Sequence, residues 1–388
     1  MKAGSIEHRK IPDIRPRSLS GSLPSVLDTL RIYLKYRVCQ PLRRRPFLPT
    51  FMFLYATYVC NARCVMCGIW ENHAADANNE LTIEEFNGIL SDPLFRKIAK
   101  LSINGGEFTL RSDMPQMVQV AINRLPELRE ICMISNGILT SRLLSQVKEI
   151  GEICSRSRIT LTVTISIHGL HEVEEKIYGI PGVFERQVKS LDGLQELAKS
   201  GLMQTGLAGV VLNENIGHLK ELLEWSRTRG LEIHFTPAEK RARFLNLDND
   251  NHFQLDDANR AEAARFFRSI ANNISIFNFR AYAYDNIACL LESSRVRTMA
   301  CEYREAGLIL GEHGELYYCP HDRPLGNCKD RSAYDMYFDS RNLKHRREFL
   351  FQQKCPQCPP KGCGRVPMQI DIFKYFKFLF FGYWRQTP

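Results

Sequence analysis

The sequence lacks long apolar segments. It contains no run of about 18 apolar residues, which predicts that no helix spans a membrane. Residues 1–22 are polar, are interrupted by Pro12 and Pro16, and include no continuous apolar stretch, so we expect no signal peptide. Without a secretory signal, the 13 cysteines are better explained by metal binding than by disulfides. These absences predict a cytoplasmic protein.

The overall composition is that of a folded soluble protein, with 44% hydrophobic and 24% charged residues. The length of 388 residues suits one large domain and a smaller one. The net charge of +9 favours an acidic partner or a negatively charged surface. We expect no nucleic-acid partner.

Two basic or aromatic segments flank the main part of the chain. Residues 24–40 carry apolar side chains at helical spacing and precede Arg43, Arg44 and Arg45. Residues 370–384 are rich in Phe and Tyr. We favour packing of both segments against the main domain. Contact with a membrane surface, or with a lipid-linked substrate, is the alternative.

Three thiols follow a predicted buried strand at residues 50–59. Cys60, Cys64 and Cys67 are separated by three and then two residues. Three thiolates on one loop can hold three irons of a four-iron cluster and leave the fourth iron open for a small molecule. Zinc is the alternative, but it needs a fourth tight ligand, and the spacing of His73 fits that role poorly.

A strand that ends in this cysteine spacing resembles the radical S-adenosylmethionine (SAM) superfamily. The resemblance implies a [4Fe–4S] cluster on Cys60, Cys64 and Cys67 that binds SAM and cleaves it to a 5′-deoxyadenosyl radical. It also implies an electron donor such as flavodoxin or ferredoxin. We therefore expect a radical SAM oxidoreductase.

Residues 50–240 alternate between strand-like and helix-like segments. Strands are predicted near residues 50–59, 99–103, 130–134, 159–167, 206–212 and 231–235. Helices are predicted near 83–90, 114–123, 141–150, 183–198 and 216–229, with Thr82 as a helix start and Gly201 and Gly230 as helix ends. About six such units predict an α/β fold, a partial TIM-like (β/α)6 barrel. That count agrees with the radical SAM resemblance.

Polar residues fall where the predicted strands end, which is where such folds place their chemistry. The resemblance implies that Gly105, Gly106 and Glu107 bind the amino group of SAM and that Met66 packs against its adenine. Further SAM contacts are expected at Ser135, Ser166 and Asn213. The alternative for the last three is an ordinary turn residue.

Two residues are candidates for catalysis. His168 follows the fourth strand, where it is placed to contact substrate or accept a proton. Glu239 follows the sixth strand, so we expect it to face the substrate. The alternatives are a structural histidine and a surface charge.

A second set of cysteines surrounds a predicted β-hairpin at residues 308–318. Cys301 and Cys319 flank the hairpin, Cys328 follows it, and Cys355, Cys358 and Cys363 come later. This pattern resembles the auxiliary-cluster domains called SPASM and Twitch. The resemblance implies one auxiliary [4Fe–4S] cluster on Cys301, Cys319, Cys355 and Cys358.

The pattern departs from a full SPASM domain, because the cysteine expected three residues beyond Cys363 is absent. Cys328 and Cys363 are therefore either spare thiols or ligands of a second auxiliary cluster. A zinc ion on four thiolates is the alternative to the first auxiliary cluster.

We expect three parts: an N-terminal arm and basic helix (1–48), a radical SAM core (49–285), and an auxiliary domain with an aromatic tail (286–388). The expected reaction is hydrogen abstraction from a substrate carbon of a small polar, sugar-like or aminocyclitol-like, or lipid-linked metabolite. One alternative is a maturase of ribosomal peptides, although residues 1–48 are too short for a winged-helix peptide-binding domain. The other is a non-catalytic zinc-binding interaction protein.

Overall fold

The computed structural model describes residues 31, 34–39, 45–71, 79–246, 255–274, 279–293 and 301–359. The predicted arm, most of the basic helix, Cys363 and the aromatic tail lie outside the described residues. Within the predicted basic helix, Leu34–Cys39 has π-helical hydrogen bonding. Among the described helices, none is long and apolar enough to cross a membrane.

Nine strands form one sheet. Their order is β6-β5-β4-β3-β2-β1-β7-β8-β9, and neighbours from β6 through β7 run parallel. Their bounds are β1 Phe51–Tyr55, β2 Lys100–Asn104, β3 Glu130–Ser135, β4 Thr160–Ser166, β5 Gln204–Val211, β6 Ile233–Pro237, β7 Gly307–Leu310, β8 Glu315–Tyr317 and β9 Gly326–Asn327. The sheet is not closed, which confirms the predicted partial barrel.

Except for the last two, the described α-helices lie between strands of the parallel part of the sheet, as the alternation predicts. They are α1 Ile83–Ile89, α2 Met114–Arg124, α3 Thr140–Arg156, α4 His171–Tyr178, α5 Val183–Lys199, α6 Leu219–Thr228, α7 Asp257–Asn273, α8 Phe279–Ser293, α9 Glu302–Glu305, α10 Ala333–Phe338 and α11 Ser340–His345. The five predicted helices are present, and their ends differ from the predicted ones by at most six residues. Among the helices that the sequence analysis did not predict are α4 and α8.

Local chemistry explains the predicted helix ends. Thr82 caps α1, and a capping box joins its hydroxyl to the Glu85 N–H and its N–H to the Glu85 carboxylate. Gly201 and Gly230 have φ of 80° and 68°, a left-handed conformation in which a glycine avoids the clash of a Cβ. By contrast, no side chain caps the start of α4.

The hydrophobic core lies on both faces of the parallel strands. In β1, the side chains of Phe51, Met52 and Leu54 are buried although they alternate between the two faces. Apolar residues on both faces are typical of a parallel sheet covered on each side. This arrangement leaves the carboxyl ends of the strands as the edge at which polar residues collect.

The predicted hairpin is present and extends the barrel sheet. β7 pairs with β1 in parallel, with Phe51 opposite Gly307, and β8 then runs antiparallel to β7. Cys301 packs beside the same strand, in a cluster with Phe51 and Tyr303. The second cysteine set is therefore attached to the strand that delivers the first.

Candidate active site

The cysteine loop, residues 60–67, follows β1 at its carboxyl end. The chain between β1 and this loop continues the parallel pairing with the segment after β2. Gly106 N donates to Thr57 O at 2.8 Å, and Glu107 N donates to Val59 O at 2.9 Å. The three thiols are partly buried. The sheet edge thus holds one end of the loop in a fixed position.

The thiols of the cysteine loop fit an iron–sulfur cluster. Two N–H groups point at Cys60 Sγ: Ala62 N at 3.5 Å and Asn136 Nδ2 at 3.9 Å. Such donors stabilise a sulfur that carries negative charge. Burial raises the pKa of Cys60 to about 12 and that of Cys64 well above its ordinary value. At neutral pH these thiols are therefore protonated in the absence of a metal, and they lose their protons when a metal binds.

The two glycines after β2 are required by close packing against the chain that leads into the cysteine loop. A Cβ on Gly106 would lie 2.0 Å from Val59 O, and one on Gly105 would lie 2.5 Å from Thr57 O. Gly105 also has φ of 143°. The glycines let the two segments approach, which brings the predicted SAM-binding segment beside the cysteines.

The carboxylate of Glu107 points into the protein and is 1% exposed. Its Oε1 accepts hydrogen bonds from Thr109 N, Thr109 Oγ1 and Ser135 Oγ, and its Oε2 accepts one from Asn136 N at 2.7 Å. Ser135 Oγ also accepts from Gly137 N at 3.0 Å. The side chains of Glu107 and Ser135 thus join the ends of β2 and β3, which favours a supporting role over direct SAM contact.

The other predicted SAM contacts lie at the same sheet edge but differ in their surroundings. The carbonyl of Ser166 accepts from Tyr178 Oη at 2.8 Å and from Gln187 Nε2 at 3.1 Å. Oδ1 of Asn213 accepts from the backbone N–H of Asp256, at the start of α7. Met66 packs beside an apolar cluster around Tyr178. Of the three residues, Asn213 uses its side-chain oxygen to hold the start of α7.

His168 is buried between β4 and β5. Its Nδ1 accepts the backbone N–H of Val210 at 3.1 Å, its carbonyl accepts from Asn215 Nδ2, and its ring stacks on Tyr178. Burial lowers the pKa of His168 to about 3, so the imidazole is neutral at ordinary pH. This environment favours the structural alternative over catalysis for His168.

Four cysteines of the second set line one cavity of about 1010 Å³: Cys301, Cys319, Cys355 and Cys358. Burial raises the pKa of Cys319, and the neighbouring thiols of Cys301, Cys358 and Cys355 raise it further. The cavity also contacts Tyr55 and Tyr58 at the end of β1. The residues predicted to hold an auxiliary cluster are therefore together, and they face the carboxyl edge of the barrel.

Cys328 lies elsewhere in the structure. It packs against the main hydrophobic core, where burial, together with the carboxylates of Asp92 and Glu315, raises the pKa of its thiol to about 12. It does not line the cavity of the other four. Cys363 lies outside the described residues, so its prediction is untested.

Glu239 reaches the cavity from the end of β6. Its Oε2 lies 3.2 Å from Nε2 of His321 and 2.6 Å from Nη2 of Arg241. Ligand atoms of Glu239, His321 and Cys358 all lie within 4.8 Å of one another, close enough for one divalent cation. Glu239 is 9% exposed and so is not the surface charge of the alternative prediction.

Sequence reasoning missed several residues of this edge. The sequence analysis did not single out Asn136, yet its side chain contacts Cys60 and donates to Asn61 Oδ1 at 2.7 Å. Its place directly after a strand was the available signal. Arg243 and Glu312 form a buried ion pair between segments 69 residues apart. No local sequence pattern predicts an ion pair between such distant segments.

Comparison with known families agrees with this geometry. The family described as Radical SAM superfamily matches residues 54–226. A probable GTP 3′,8-cyclase of Methanococcus aeolicus is 26% identical over 49% of this chain and 60% of its own length. One from Archaeoglobus fulgidus is 30% identical over 46% and 55%. An Fe-coproporphyrin III synthase of Methanosarcina barkeri is 23% identical over 42% and 38%. The chain spans roughly half the length of these curated relatives.

Solved structures resemble a larger share of the fold. Streptococcus suis SuiB has a TM-score of 0.58 at 13% identity, with 87% of this chain and 82% of SuiB covered. The structure of anSMEcpe with bound AdoMet and a peptide has a TM-score of 0.57 at 14% identity, with 87% and 97% covered. At such low identity the likeness concerns the fold alone. Residues 54–226 match the radical SAM superfamily, and the cysteine loop and the open parallel sheet agree with that match.

Proposed function

We propose that this chain is a radical SAM enzyme whose cysteine loop holds a [4Fe–4S] cluster. The observation that carries the proposal is the placement of Cys60, Cys64 and Cys67 on one partly buried loop at the end of β1, with N–H donors directed at Cys60. When bound, the cluster and SAM would supply a 5′-deoxyadenosyl radical for hydrogen abstraction from a substrate carbon, with one electron from a donor such as flavodoxin or ferredoxin.

The protein's own residues position the reactants and limit access of water, since a radical must meet only the intended carbon. Asn136 orients the cysteine loop through Asn61. The backbone of Gly105 and Gly106 is the expected partner of the SAM amino group, because the carboxylate of Glu107 is occupied by protein donors. Glu239, which follows β6, and His321, which follows β8, both face the cavity, where they can orient substrate or accept a proton.

We also propose one auxiliary [4Fe–4S] cluster on Cys301, Cys319, Cys355 and Cys358. Their convergence in one cavity supports this set, and the separate location of Cys328 argues against it as a fifth member. Zinc on the same thiolates stays the alternative. An auxiliary cluster at this place can accept an electron from the substrate or bind the substrate.

For the substrate, we propose a small polar metabolite. The cavity of about 1010 Å³ has the volume of a typical small-molecule site and is lined by tyrosines and charged side chains. A peptide is the second candidate, because the similar fold of anSMEcpe is known with a bound peptide. Similarity to probable GTP 3′,8-cyclases adds GTP, a nucleotide, to the small-molecule candidates.

The test is iron and acid-labile sulfide per chain after anaerobic reconstitution, with 5′-deoxyadenosine release measured after reduction in the presence of SAM. We expect about eight irons in the wild type and about four in a Cys60/Cys64/Cys67→Ala variant, at four irons per cluster. Deoxyadenosine should form only with the wild type. Zinc with little iron would overturn the proposal.

A further inference from the structure

The segment that follows β6, residues 239–246, contacts the cysteine loop on one side. Phe244 O accepts the N–H of Gly68 at 2.6 Å, and Asn246 Nδ2 donates to Met66 O at 2.7 Å. The carbonyl of Arg243 accepts from Tyr58 Oη at 3.2 Å. The segment therefore supports the loop just beyond its last cysteine.

The same segment contacts the auxiliary part of the chain through charged groups. Arg243 Nη1 lies 2.7 Å from each carboxylate oxygen of Glu312, which stands in the turn between β7 and β8. Glu239 contacts His321 beyond β8. Eight residues thus contact two cysteine sites that are far apart in sequence.

The guanidinium of Arg243 is held rigidly. It lies over the rings of Tyr55 at 3.7 Å and Tyr58 at 4.8 Å, and Nη2 donates to Thr57 O at 3.4 Å. Its side chain is 13% exposed and that of Glu312 is 5% exposed. In such a poorly solvated position a fixed charge acts strongly on its surroundings.

The guanidinium of Arg243 is close to the cysteine loop. It lies over the ring of Tyr58, two residues before the first cysteine, and the residue that follows Arg243 accepts the Gly68 N–H just after the last cysteine. Glu312 holds the guanidinium from the hairpin. The hairpin therefore anchors a positive charge beside the loop.

We propose that Arg243, held by Glu312, sets the reduction potential of the metal centre on Cys60, Cys64 and Cys67. The inference rests on the proposed function, because it needs a redox-active centre there. Adding an electron makes that centre more negative, and a nearby fixed cation stabilises the reduced form. The auxiliary hairpin thereby influences the first centre electrostatically, without being one of its ligands.

The test compares substitutions at the two ends of the ion pair. Arg243→Gln removes the cation and leaves Glu312 behind, so the reduction potential should become more negative. Glu312→Gln leaves Arg243 uncompensated, so the potential should become less negative. If the pair served only to hold the structure, breaking it from either end would have the same effect. Opposite shifts therefore identify the charge as the cause.

The measurement is an anaerobic redox titration followed by the EPR signal that is absent from the Cys60/Cys64/Cys67→Ala variant. Arg280→Gln is the matched control. It breaks an ion pair with Glu232 at the opposite end of β6 and should leave the potential unchanged. Arg243→Lys keeps the charge and should keep the potential close to that of the wild type.

Iron and sulfide contents are determined first for every variant. A wild type without iron contradicts the proposed function, whereas normal iron content with shifts of one sign, or none, overturns this inference alone. If Arg243→Gln does not fold, Glu312→Gln and Arg243→Lys decide. A potential that rises in the first and stays near wild type in the second supports the inference, and any other pattern overturns it.

Discussion

The backbone of Gly179 lies directly against Arg63 in the cysteine loop. A Cβ on Gly179 would be 3.1 Å from the Arg63 carbonyl oxygen and 3.3 Å from its Cβ. Just before this glycine, the carbonyls of Ile177 and Tyr178 accept the N–H groups of Val65 and Arg63. The end of α4 therefore fixes the middle of the cysteine loop.

This contact predicts a local effect of Gly179→Ala on the cysteine loop. Gly179 has φ of 66°, so an alanine costs about 1 kcal/mol in backbone conformation and also presses on Arg63. Gly201→Ala is the matched control, because Gly201 has φ of 80° with nothing within 4 Å of its Cβ position. We expect both variants to lose similar stability in urea, but only Gly179→Ala to lose iron from the first cluster. Equal iron contents would contradict the supporting role of α4.

The two sets of thiols predict different effects of single cysteine substitutions. Cys319→Ser should lower iron from about eight to about four per chain, because Cys319 belongs to the group that lines the cavity. Cys328→Ser should leave iron unchanged, since Cys328 packs in the core away from that group. Iron and sulfide analysis after reconstitution checks both. A loss of about four irons in Cys328→Ser would require a second auxiliary cluster.

The buried carboxylate of Glu107 predicts a loss of stability on substitution. Glu107→Ala leaves four donors from Thr109, Ser135 and Asn136 without an acceptor, which should lower the free energy of unfolding by about 3 kcal/mol. Glu107→Gln should cost less, because its amide oxygen keeps some of these bonds. Urea denaturation of the metal-free protein measures both, with the exposed Glu149→Gln as control.

The same variants separate support from ligand binding. A Glu107→Gln protein with normal stability and normal iron that fails to bind SAM would show that the carboxylate contacts SAM directly. The hydrogen bonds of Glu107 argue for the opposite result, in which Glu107→Gln lowers the free energy of unfolding before it affects SAM binding.

From the burial of the Glu174 carboxyl group we predict that the free energy of unfolding decreases as pH increases. Its Oε2 accepts the N–H groups of His168 and Gly169 at 2.8 Å each, and burial raises its pKa from 4.5 to about 8. Between those two values the folded state retains a proton that the unfolded state has lost. The free energy of unfolding therefore decreases as pH rises from about 4.5 to 8, by about 1.4 kcal/mol per unit for this group alone.

Glu174→Gln removes this dependence, so its stability relative to the wild type should increase between pH 5.5 and pH 8 in urea denaturation. Glu175→Gln is the control, since the Glu175 carboxylate accepts one N–H from Gly182 and should leave the slope of the wild type unchanged. Parallel pH profiles for Glu174→Gln and wild type would contradict the prediction.

The sequence determined the secondary-structure elements and the thiol spacing of the cysteine loop. Alternating apolar segments locate six strands, and the capping box at Thr82 marks a helix start, because these signals act between residues close in the chain. The spacing of Cys60, Cys64 and Cys67 is also local. By contrast, α4 was missed because no side chain caps its start. The carbonyls at its end accept hydrogen bonds from the cysteine loop, which is distant in sequence.

Only the tertiary structure decided the surroundings of the polar residues. Glu107, His168 and Asn213 look like ligand contacts in the sequence, but packing commits their side chains to protein partners. Only the pairing of β7 with β1 attaches the second cysteine set to the strand that leads to the first. The same arrangement brings Arg243 to Glu312. Such relationships depend on the path of the chain between distant segments, and no local pattern encodes that path.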